Sequence, residues 1–96
     1  MVPMYRPEPG QFKVQRVQTG VRIEKSLLKV LKGLAEYLEM SLGDLLEGIV
    51  LHSFEGESPF EPPTLEKIEQ LKGVYGMDYG KDYSHRMVEE RENEDL

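Results

Sequence analysis

The chain has 96 residues, no cysteine, 39% apolar residues and a formal net charge of −6. That length allows one domain at most, and the missing thiols exclude disulfides, thiolate metal sites and cysteine nucleophiles. The N-terminus lacks the apolar core of a signal peptide and no apolar run reaches the roughly 20 residues of a membrane span, so the chain reads as cytoplasmic, without a membrane partner.

In chain order, residues 1–12 contain Pro3, Pro7, Pro9 and Gly10 and predict a flexible N-terminal arm. From Lys13 to Ile23 the residues favour a strand, in which Thr19, Val21 and Ile23 alternate with Gln18, Gly20 and Arg22. The period changes at about Glu24. Leu27, Leu31, Leu34, Ala35 and Leu38 then fall at helical spacing and predict a helix over Lys25–Glu39, with Gly33 inside it at a cost of roughly 1 kcal/mol relative to alanine. Met40 fills an apolar turn position. Ser41 followed by Asp44 is a variant of the S-x-x-E capping box, so a second helix is expected from Ser41 as N-cap to about Ser53, burying Leu45, Leu46, Ile49, Val50 and Phe54.

Residues 55–63 read as a Pro-containing linker. Beyond them lies an acidic C-terminal extension, 64–96, partly helical: Thr64 is a possible N-cap, Leu65, Ile68 and Leu71 form a narrow apolar face, and Gly76 is a plausible stop. Tyr79, Tyr83 and Met87 are four apart and suggest a packing stripe on a solvated or frayed helix ahead of a disordered tail.

Charge is divided between the two ends of the chain. Residues 1–32 hold seven basic groups against two acids, net +5, while residues 33–96 hold five against sixteen, net −11. The N-terminal part can therefore meet a polyanion that the C-terminal part repels.

A lone strand beside a hydrophobic core leaves its backbone groups unpaired, and about forty residues of apolar-rich chain are near the lower limit for folding alone. The economical solution is a two-fold homodimer in which two copies of the strand pair antiparallel. The expected fold is thus mainly α with one β-strand: an intertwined dimer built on an intermolecular two-stranded ribbon, formed by residues 13–54. Thr19, Val21 and Ile23 would face the shared core, and Gln18, Gly20 and Arg22 would face outward on a ribbon of the size that enters a DNA major groove.

Residues 19–54, "TGVRIEKSLLKVLKGLAEYLEMSLGDLLEGIVLHSF", resemble the ribbon-helix-helix superfamily of bacterial and archaeal DNA-binding proteins. The resemblance lies in the V-R-I strand end, the Leu27–Leu38 stripe, the apolar-Ser turn at Met40 and Ser41, and the acid at Asp44 followed by Leu45, Leu46, Ile49 and Val50. It implies a homodimeric, sequence-specific transcriptional regulator, or the DNA-binding half of an antitoxin, with double-stranded DNA as partner. Base reading would map onto Gln18, Gly20 and Arg22. Arg22 suits a bidentate contact to guanine and Gln18 one to adenine, whereas Gly20 offers close backbone approach or a bulge. Phosphate would be held at the start of the second helix by the amides of Leu42 and Gly43 beside Ser41, with Lys13, Arg16 and Lys25 as further phosphate contacts.

A rival reading is a protein-interaction module or antitoxin whose extension, residues 64–96, binds a partner protein, with weak or no DNA binding. His52 and His85 lack companions for a metal site, and no cofactor is expected. No phosphate-binding loop, nucleophile elbow or paired-carboxylate arrangement appears, so the chain reads as a non-enzyme.

Overall fold

The apolar spacing that begins after Glu24 produces α1, Lys25–Tyr37, in the computed structural model, which describes residues 10–90. α1 ends two residues before its expected limit. Glu39 adopts a left-handed conformation (φ 58), and the amides of Glu39 and Met40 donate back to the carbonyls of Glu36 (3.1 Å) and Ala35 (3.0 Å). This is the paired hydrogen-bond pattern that closes a helix C-terminus, here with a glutamate where glycine is usual.

α2, Leu42–Phe54, starts where the capping box places it: the Ser41 hydroxyl accepts from the Asp44 amide at 3.0 Å. It closes in the same way as α1, now with a glycine, as Gly56 (φ 73) and Glu57 donate to the carbonyls of Ser53 (3.0 Å) and His52 (2.9 Å). α3, Pro62–Tyr75, begins earlier than Thr64. Glu61 is its N-cap residue and Pro62 and Pro63 open the first turn, where a missing N–H removes a donor that has no intrahelical acceptor. Gly76 ends α3 in the left-handed region (φ 71), as expected. Beyond it the extension forms no further α-helix among the described residues, only a 3₁₀ turn at Lys81–Tyr83.

The core sits where α3 and the linker cover α1 and α2. Leu34, Ala35 and Leu45 are buried, and Leu31, Leu38, Ile49, Phe60, Ile68 and Leu71 pack around them. Gly33 has its explanation here: a Cβ at that position would stand 3.1 Å from Leu71 Cδ2, so the glycine lets α3 approach α1 closely. Lys67 of α3 adds its ammonium over the Tyr37 ring, 4.7 Å from the centroid.

These contacts correct the expected fold. The described residues contain no β-strand and no sheet: the architecture is three α-helices, and the β-ribbon that a ribbon-helix-helix fold requires is not formed. A strand exists only through its ladder, and residues 11–24, which carry neither helix nor strand, have no neighbouring strand to pair with. The apolar stripe of α1 finds its cover in Ile68 and Leu71 of α3 instead. Thr19 and Val21, expected to point inward, are exposed, and Ile23 is half-buried. Residues 1–9 of the expected arm and 91–96 of the expected tail lie outside the described residues. Among the described residues no helix is long and apolar enough to cross a membrane.

Candidate nucleic-acid interface

Residues 11–23 run exposed ahead of α1, apart from half-buried Ile23, with Lys13, Arg16 and Arg22 among them and no acidic residue. Gln18, Gly20 and Arg22 are all on this exposed stretch, and Lys25 follows on the first turn of α1. A Cβ added at Gly20 would meet nothing within 4 Å among the described residues, so no close approach among them accounts for that glycine.

The carboxylates of Glu47 and Glu89 help to fasten the segment to the rest of the molecule. Arg16 donates through Nε and Nη2 to the two carboxylate oxygens of Glu47 on α2, at 2.8 and 2.7 Å. Arg22 makes the same two-pronged contact with Glu89, with Nε at 3.0 Å from Oε1 and Nη2 on Oε2. Hydrogen bonding and then charge attraction raise the pKa of both guanidinium groups and lower those of Glu47 and Glu89. All four groups remain in solvent, so these pairs are readily exchanged for other partners. A planar fork that accommodates a carboxylate also fits a phosphate or the O6/N7 edge of guanine.

The junction with α1 is organised by Glu24. Its carboxylate caps the helix by accepting from the amides of Ser26 and Leu27, each at 3.0 Å, and from the Ser26 hydroxyl at 2.6 Å. It also accepts from the Tyr79 hydroxyl at 2.6 Å, across 55 positions of sequence. The Ser26 and Tyr79 hydrogen bonds bring the Glu24 pKa down to about 2. Partial burial, followed by the bond to Glu24, pushes the Tyr79 phenol up to about 12.

The predicted site residues are thus divided. Arg16, through Glu47, is drawn to α2 and feels the charge of Asp44 in that helix's first turn. Arg22 is drawn instead to the C-terminal extension. Asp44 sits in the same turn as the Leu42 and Gly43 amides, and its negative charge opposes an anion there. Sequence reading missed Glu24, Glu47, Tyr79 and Glu89. Glu24 stands immediately before α1 and its place was a usable signal, but glutamate is not among the usual capping residues. Nothing local distinguishes Glu47 or Glu89 among the chain's 18 acids.

The described residues contain no group of three or more His, Asp or Glu side chains placed to hold a metal ion. An open groove of about 500 Å³ lies between α2 and the linker, with Met40, Ile49 and Phe60 in its walls and Asp44, His52, Glu61 and Thr64 among its polar groups. Comparison with protein-family models, with curated proteins and with solved structures finds no match.

Proposed function

We propose that the protein binds double-stranded DNA through residues 11–25 and acts as a sequence-specific regulator of transcription. The observation that supports this reading is the exposed basic stretch itself: Lys13, Arg16 and Arg22 lie with Gln18 between Gln11 and Ile23, a stretch with no acid of its own, and the Glu47 and Glu89 carboxylates paired with the two arginines are exposed and exchangeable. In this reading Lys13, Arg16 and Lys25 meet phosphates, and Arg22 and Gln18 address base edges. The contact is made by an irregular segment that acquires its final shape on the duplex, not by a preformed sheet. The acidic extension contributes negative charge that opposes a polyanion, and its Glu89 is drawn to Arg22.

The binding unit in this reading is a pair of chains. α2 is apolar around most of its circumference: Leu45 is buried, whereas Val50, Leu51 and Phe54 are exposed, Phe54 to 80%. A helix of that composition ordinarily has cover on more than one side. The described residues bury only four hydrophobic side chains, Val30, Leu34, Ala35 and Leu45, a thin core that a second copy would enlarge.

Fluorescence anisotropy with a labelled duplex over a salt series, with sedimentation to determine the oligomer, tests the proposal. Binding is expected to weaken steeply as salt rises. Arg22→Ala should reduce preference for the selected sequence over random duplex by about tenfold, and Lys13→Ala should weaken both alike. Equal loss on both duplexes for Arg22→Ala would remove its base-reading role, and no binding to any duplex at low salt would remove the function.

A further inference from the structure

The polar contacts between the two ends of the described chain converge on one place. Glu24 and Arg22 are two residues apart, and each is held by the extension: Glu24 by Tyr79, Arg22 by Glu89, across 55 and 67 positions respectively. The extension has the local structure to present both. Tyr79 and Tyr83 stack with ring centroids 4.7 Å apart and planes 12° from parallel, beside Glu69 and Lys72 of α3. Between and beyond the two tyrosines the chain turns repeatedly, with the Tyr83 amide on the Gly80 carbonyl (3.0 Å), Ser84 on Lys81 (3.0 Å) and Arg86 on Tyr83 (2.9 Å). His85 takes the left-handed conformation (φ 63) four residues before Glu89. Tyr79 is half-buried, so it is the firmer anchor, and the exposed Glu89 is the exchangeable contact.

We propose that the extension, residues 77–89, is a built-in competitor for the DNA-reading segment, in which the Glu89 carboxylate occupies the Arg22 fork in place of a nucleic-acid acceptor while Tyr79, bonded to Glu24, holds the extension there. The inference rests on the DNA-binding reading and adds its regulation. Chemically the competition is at one edge of the guanidinium: the two oxygens of Glu89 use Nε and Nη2, the donors of a side-on bidentate contact to guanine or phosphate, and share Nη2 with the remaining Nη1/Nη2 edge. A carboxylate tethered this way acts at an effective concentration on the order of millimolar, enough to compete with an incoming ligand without excluding it. Because the pair is exposed and singly charged on each side, the competitor sets a threshold for binding rather than an absolute block. A partner protein or modification that captures the extension would release Arg22.

The test compares the full chain with Glu89→Ala, with Tyr79→Phe and with Glu90→Ala. Glu90 is an exposed neighbour of equal charge, so its removal reports the general loss of one acid. Anisotropy with the same labelled duplex at fixed salt should show Glu89→Ala binding about three- to tenfold more tightly than Glu90→Ala, with Tyr79→Phe moving in the same direction by a smaller factor. A second readout does not need DNA: the Arg22 Nε–H resonance should exchange with solvent faster in Glu89→Ala and stay unchanged in Glu90→Ala. If the two acid variants gain equal affinity, the competitor is overturned and the DNA-binding reading stands. If the exchange readout behaves as stated but no variant binds duplex, the contact is real and the DNA-binding reading fails, taking the regulatory role with it.

Discussion

The helical part of the molecule, residues 25–75, and the two segments that flank it are held by different forces. Within α1, α2 and α3 the contacts are apolar and enclosed, with Leu34 only 2% exposed at their centre. The flanks are joined to that core and to one another by charged or hydroxyl groups, exposed in the pairs of Arg16 with Glu47 and Arg22 with Glu89 and half-buried at Tyr79, which meets Glu24. Apolar burial is insensitive to moderate salt and pH, whereas exposed ion pairs are screened and exchangeable. One region is therefore suited to keeping a shape and the other to changing partners. This division also places the proposed binding chemistry in the region with the least to lose on rearrangement.

The contrast is broken most directly at its centre. Leu34→Ala should lower stability by about 3 kcal/mol through lost burial and a residual cavity, read as a lower midpoint of urea unfolding, while Arg16→Ala should leave that midpoint almost in place. If the two variants shift it alike, the flanks are as much part of the fold as the helices. Gly33→Leu is the next largest: the added side chain has to displace Leu71, 3.1 Å from the first new carbon, and overpacking of this kind costs about 1–3 kcal/mol. Ser41→Ala removes the cap on the Asp44 amide and should cost about 1 kcal/mol by the same urea measurement.

The smallest effect is at Glu24, where the N-terminal flank, α1 and the extension meet. The Glu24 pKa is lowered from 4.5 to about 2, so the folded state favours the carboxylate. Its contribution is complete above pH 4.5 and is lost as pH falls toward 2. Following the Glu24 carboxyl carbon by NMR should show a midpoint near 2 in the native chain, rising toward 4.5 in Tyr79→Phe combined with Ser26→Ala. A midpoint near 4.5 in the unaltered chain would mean that Tyr79 does not hold the extension against α1.

Much of the helical part was legible because its signals are local. The Leu27–Leu38 stripe, the Ser41 and Asp44 pair and Gly76 each act over a few residues, and α1, α2 and the end of α3 follow from them. α3 starts inside the stretch that reads as linker, at Pro62 and not after Thr64, because proline at the first helical positions is itself a start signal. The two-residue alternation of residues 18–23 is a pattern that cannot provide a ladder partner, so the strand expected over 13–23 is not formed and Val21 remains 75% exposed. Of the candidate site, the exposed basic positions were visible in advance. Their acidic partners were not, since contacts over 31, 55 or 67 residues leave no mark on the spacing of either partner.

What the sequence by itself determined is α1 and α2, the Ser41 cap, the Gly76 stop and the separation of positive from negative charge, because each depends on neighbours within a turn or on simple counting. The tertiary structure alone decided that α3 and not a sheet covers α1, that Gly33 serves their close approach, and that Arg22 meets Glu89. Those outcomes depend on which distant surfaces fit and which charges are left within reach once the apolar groups are packed, and that is a property of the assembled chain.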